Sequence, residues 1–123
     1  MTPKPVLSDL APYLHVADVQ RSIDYYAYLG FEPTDVTLDD GVPVWALLVG
    51  SAGRLMVAQA DGELDRTRQG VLLYLYTPDL VIMREELKRE NVPVGEIENP
   101  DYLPNGVLRL EDPDGYVLLI AQI

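Results

Sequence analysis

A pattern written twice into 123 residues sets the strongest limit on how this chain can fold. Tyr13-Leu-His-Val-Ala-Asp18 is a short apolar run ending in an aspartate, and a helical pattern follows it to Gly30 and Phe31-Glu32-Pro33. Tyr74-Leu-Tyr-Thr-Pro-Asp79 repeats the arrangement 61 positions on, with a helical pattern that stops at Asn91 before Val92-Pro93. Asp18 precedes Phe31 by 13 positions, as Asp79 precedes Val92. Tyr13 and Tyr74 lie five before their aspartates, His15 and Tyr76 three before. Self-similarity of this kind predicts a duplicated strand–helix–strands module of about 60 residues per copy.

Each copy supplies the signals its elements need. Asp18 and Asp79 are N-caps, their carboxylates placed to accept from free backbone N–H groups at a helix start. Val19, Ile23, Tyr26 and Ala27 share one face of the first helix, and Leu80, Met83 and Leu87 one face of the second. Gly30 ends the first helix as a left-handed residue on which Phe31 packs back. Strands are predicted over residues 10–17, 32–38, 42–50 and 54–60 in the first copy. In the second they fall at 71–77, 94–97, 106–111 and 116–122, with Asp112-Pro-Asp-Gly115 as the last turn. Met1 to Ser8, with Pro3 and Pro5, reads as an extended arm. The result is an α+β fold in a single domain, residues 1–123. Module 1 covers about 9–60, a polar linker 61–69, and module 2 about 70–123; two tandem βαβββ units form a curled sheet cup with the helices outside.

Composition narrows the function classes. A net charge of −11, from 20 acids against 9 bases, argues against nucleic acid, whose phosphates need a basic surface. The same charge favours a cationic ligand. No apolar run approaches the ~20 residues that span a bilayer, so a soluble cytoplasmic protein is expected, with no membrane partner. Without cysteine there is no thiolate metal site or cysteine nucleophile, and His15 is the one histidine.

The Ser22…Tyr25-Tyr26…Leu29-Gly30-Phe31 pattern and Asp112-Pro-Asp-Gly115 together resemble the vicinal oxygen chelate superfamily of glyoxalases, extradiol dioxygenases, fosfomycin-resistance enzymes and bleomycin-resistance proteins. The resemblance covers nearly the whole chain, and its motifs are caps, helix stops and turns, which specify a fold and not a chemistry. It implies metal-ligand positions seven residues before each capping aspartate and four after each closing-hairpin glycine. In this sequence those are Ala11, Leu72, Val57 and Leu119, none of which binds a metal, so no cofactor is expected.

Alternation along the strands then says what lines the cup. With position 11 inward, Tyr13 and His15 follow; Leu72, Tyr74 and Tyr76 share the equivalent face; Val117 and Leu119 come from the closing strand. Leu108 and Leu110 suit the helix side, leaving Val107, Arg109 and Glu111 toward the cup. Trp45 and Met56 join from the first copy, and Tyr102, in the proline-flanked loop 99–105, is placed as a wall at the mouth. This is an aromatic and aliphatic pocket with few polar handles, the usual make-up of a small-molecule site. Arg109 can pair with Glu111, two residues on.

Two readings follow. The preferred one, by resemblance to the bleomycin-resistance proteins, is a metal-free homodimer sequestering an aromatic or cationic antibiotic-like molecule in clefts shared by two subunits. The alternative is a lyase or dioxygenase-like enzyme using His15 as general base, or a metal at unorthodox positions such as His15 with Glu111.

Overall fold

Two capped helices, one per copy, organise the molecule. The computed structural model describes residues 5–123. Strand β1 (Tyr13–Val16) leads into α1 (Val19–Ala27), followed by β2 (Glu32–Asp39), β3 (Val42–Gly50) and β4 (Gly53–Gln59). A short 3₁₀ turn at Arg66–Arg68 interrupts the linker. Then come β5 (Leu72–Thr77), α2 (Leu80–Arg89), β6 (Val107–Glu111) and β7 (Val117–Gln122). The first sheet runs β1-β4-β3-β2 and the second β5-β7-β6, with β1 parallel to β4 and β5 parallel to β7.

The duplicated signals act as their chemistry requires. Asp18 accepts from the N–H of Arg21 at 3.1 Å and Asp79 from that of Ile82 at 3.0 Å. Gly30 and Asn91 both close their helices with positive φ, 88° and 59°. The next residues donate back into the helix, Phe31 to the Tyr26 carbonyl and Val92 to that of Leu87. An asparagine tolerates the left-handed conformation that glycine adopts freely, so both copies stop at the same point.

Three local expectations need correction. The stretch 94–97 is not a strand: Pro93 cannot donate to a ladder, and only an isolated bridge, Glu98 to Val107, pairs here, so the second sheet has three strands. Strand β1 begins at Tyr13 and not at residue 10, because Pro12, which has no N–H, offers only its carbonyl, to Met56. Ala27 is exposed; the buried face of α1 is Val19, Ser22, Ile23 and Tyr26. Of the expected arm, residues 1–4 lie outside the described residues, and 5–8 are exposed and belong to no strand or helix.

The helix-side faces of both sheets share one core. Leu14, Val16, Leu48 and Val57 meet Tyr26 from the first copy; Leu108, Leu110, Leu118 and Ile120 meet Leu80 and Leu87 from the second. Each such side chain removed from water contributes about 1.5–3 kcal/mol. The copies are also joined by a polar seam at the last turn. Asp112, fully buried, accepts from the Tyr26 hydroxyl at 2.6 Å and from the N–H groups of Asp114 and Tyr116, both at 2.9 Å. Asp114 accepts from the Ala17 N–H at 2.9 Å and from Arg21 at 3.2 Å, and the Tyr116 hydroxyl donates to the His15 carbonyl at 2.8 Å.

Burial pushes the Asp112 carboxyl above the usual carboxylate range, against three hydrogen bonds that pull it down. Burial, and next the neighbouring Asp112 charge, raise the Tyr25 hydroxyl to about 12 and the Tyr26 hydroxyl further still. An acid whose pKa is raised on folding stabilises the fold when protonated and loses that contribution as pH rises through its folded pKa. Relative to Asp112→Asn, the native protein should therefore gain stability as pH falls from neutral toward the ordinary carboxylate range. Melting temperatures of both proteins across that window check it, and parallel curves would contradict it.

Candidate functional site

Opposite the core, each sheet turns an aromatic face outward. Leu14 and Val16 are buried while Tyr13 and His15 are exposed, so the alternation of β1 sends the ring-bearing residues away from the helix. In β5 the exposed positions are Leu72, Tyr74 and Tyr76, and in β6 Arg109 and Glu111 point away from buried Leu108 and Leu110.

Register places these side chains in matching frames. Tyr13 pairs with Met56 as Tyr74 pairs with Leu119, and His15 pairs with Ala58 as Tyr76 pairs with Ala121. One strand further, Ala58 stands opposite Trp45 and Met56 opposite Leu47; in the second sheet Ala121 stands opposite Val107 and Leu119 opposite Arg109. The ring pairs match as well. Tyr13 and His15 have centroids 5.4 Å apart at 66°, and Tyr74 and Tyr76 also 5.4 Å apart, at 39°. Tyr13 is 52% exposed, Tyr74 40% and Tyr76 61%, which leaves rings free to receive a planar molecule.

Nine of the ten residues singled out by sequence thus divide between two outward faces: Tyr13, His15, Trp45 and Met56 on the first sheet, and Tyr74, Tyr76, Arg109, Glu111 and Leu119 on the second. The tenth, Tyr102, is 80% exposed in its loop and belongs to none of the ring pairs that the described residues form. Glu111 pairs with Arg109 at 3.8 Å, but Arg66 of the linker comes closer, at 3.3 Å. No sequence spacing announced that second arginine. Leu47 and the two alanines were also missed, although alternation from Trp45 would have found Leu47.

The implied metal positions do not fit a metal. Val57 is a core residue with no exposed surface, a correction to its placement in the cup. The position that answers Leu119 across the duplication is Met56, because the first hairpin turn is shorter than the second. Ala11, Leu72, Met56 and Leu119 offer no nitrogen or oxygen side-chain donor. Among the described residues no three His, Asp or Glu side chains cluster as ligands. Nor does a carboxylate hydrogen-bond to the His15 ring there; its recorded partner is through its backbone carbonyl.

Comparison with known proteins places this geometry. A family model described as "Glyoxalase/Bleomycin resistance protein/Dioxygenase superfamily" matches residues 9–120. A crystal structure of a bleomycin-binding protein complexed with bleomycin superposes with a TM-score of 0.75 at 21% identity, covering 95% of this chain and 99% of that one. A bleomycin resistance determinant encoded on the transposon Tn5 gives 0.72 at 21% identity, over 94% and 98%. TnmS3, an antibiotic binding protein from Streptomyces sp. CB03234, gives 0.70 at 19% identity, over 97% and 98%. At these identities the likeness is one of fold. Among curated proteins, a shikimate kinase of Acinetobacter baylyi is 30% identical over 86 residues, 69% of this chain and 47% of that protein. The chain spans about half the length of the curated relatives it matches.

Proposed function

The chain belongs to the glyoxalase/bleomycin resistance protein/dioxygenase superfamily, and from that premise we propose that it binds and sequesters a planar, cationic small molecule without chemical change. The observation that carries this reading is the pair of outward faces, each with two rings 5.4 Å apart and neither with a set of metal donors. Tyrosine and tryptophan faces attract flat cations, and the net charge of −11 adds long-range attraction. The fold likeness to a bleomycin-binding protein solved with bleomycin and to an antibiotic binding protein supports the choice of ligand class.

Two copies close the site in this reading. A single chain leaves the rings open to water, and Val6 and Leu7 of the arm, with Leu10 just beyond it, are between 81% and 93% exposed. A second copy would cover both, giving a homodimer with clefts between subunits. In this reading the protein is cytoplasmic. No helix among the described residues is long and apolar enough to cross a membrane. Phosphoryl transfer does not enter this reading, since the sequence has no G-x-x-x-x-G-K-[ST] run to cradle phosphates.

Trp45 is the single tryptophan and stands on the first face, so it reports binding. Titration with bleomycin and other planar cations should quench its fluorescence saturably, more weakly as salt is added. Replacing Tyr74 by alanine should weaken binding by about 1 kcal/mol. Tyr102→Ala tests the loop as a wall, and equal titrations in native and variant would remove it from the site. Light scattering at micromolar concentration should report a dimer. A monomer, or no response to any planar cation, would sink the proposal.

A further inference from the structure

The duplication makes two seams between the copies, and they differ in chemistry. At one, the turn Asp112–Gly115 meets the start of α1, and Asp114 is held by the Ala17 N–H and by Arg21. Shifted by the repeat of 61 positions, Ala17 becomes Pro78 and Arg21 becomes Ile82. The turn on that side is Ser51-Ala52, which carries no carboxylate. Pro78 has no N–H to give, and isoleucine cannot pair with a carboxylate. The polar filling of the first seam is thus absent from the second, and a cavity of about 180 Å³ stands there, its lining including Leu29, Phe31, Leu75, Met83 and Ile120 beside the hydroxyl-bearing Ser51 and Thr77. It shares Leu29, Pro78 and Met83 with a wider groove that reaches Ile82, which is 58% exposed.

We propose that this second seam is a binding site for a small neutral ring bearing one hydrogen-bond acceptor, such as a simple aromatic ketone, distinct from the aromatic faces of the sheets. Its size is comparable to apolar cavities of roughly 150 Å³ that admit benzene. Ser51 and Thr77 place hydroxyl groups on the lining. Thr77 Oγ1 already accepts, at 3.4 Å, from the Asp79 N–H, so its own proton is left to donate to the ligand. Tyr76 is among the lining residues, and its ring stands beside Tyr74.

The three methionines give the test, because Met83 lines the seam and Met56 stands on the first face. In protein labelled with ¹³C at the methionine methyl groups, acetophenone should shift the Met83 signal saturably and leave Met56 in place. Ala52→Leu, which fills the cavity from the turn, should abolish that shift; Ser51→Leu is the second variant if the first fails to fold. The proposal is overturned if Met83 does not move in the native protein. It is equally overturned if Met83 moves unchanged in the filled variants, or if Met56 responds at lower concentration than Met83. A Met83 response is expected whether or not Trp45 reports a planar cation, so failure here and failure of the sheet-face reading are separate results.

Discussion

Replacing Asp112 by alanine should destabilise the protein by about 3–5 kcal/mol, because it strands three buried donors at once. The Tyr26 hydroxyl and the N–H groups of Asp114 and Tyr116 all point at this one carboxylate, and Asp112 itself has no exposed surface through which water could replace it. The melting temperature should fall by roughly 10 °C or more. Asp112→Asn keeps an acceptor for the two N–H groups and should cost about 1 kcal/mol, which separates the loss of partners from the loss of charge. If alanine and asparagine prove equally mild, the turn does not hold the copies together.

The second large effect is expected at Gly115→Ala. Gly115 has φ +90°, and a β-carbon there would lie 2.2 Å from the Arg66 carbonyl oxygen, backbone that can yield only by moving the linker. Strain and displacement together should cost about 2–4 kcal/mol. Gly41→Ala is the control, with φ +80° and nothing within 4 Å of the added carbon; only the conformational term of about 1 kcal/mol should remain. Urea denaturation of both variants reads the difference. Equal losses would mean that the linker gives way at no cost.

What could be read from sequence was what neighbouring residues decide among themselves. A capping aspartate, a helix stop and the alternation of a strand are local events, so the echo between Asp18 and Asp79 fixed the elements, and with them the placement of Tyr13, His15, Tyr74 and Tyr76 on the sheet face away from the helices. The failures have local causes as well. Val57 was assigned by counting from a glycine, but Gly53 stands three residues before Met56 where Gly115 stands four before Leu119, and a slip of one lands on the opposite face. Ala27 keeps the helical period yet lies at its margin. The polar seam had no such signal: the Tyr26–Asp112 and His15–Tyr116 bonds span 86 and 101 positions, and no spacing rule connects residues so far apart. Arg66 reached Glu111 in the same unannounced way.

The place of β7 in the second sheet has a consequence for how the protein is made. It is the central strand, and β5 pairs with it alone, so β5 must leave the ribosome and wait with its ladder unsatisfied until residues 117–122 follow. The Tyr26 hydroxyl waits too, since its acceptor Asp112 is among the later residues synthesised. The first sheet, by contrast, has all four strands in hand once Gln59 has emerged. Translation therefore delivers one sheet with its strands complete and one still open, and the Tyr74–Leu-Tyr76 edge is exposed to strand pairing with other chains for that interval.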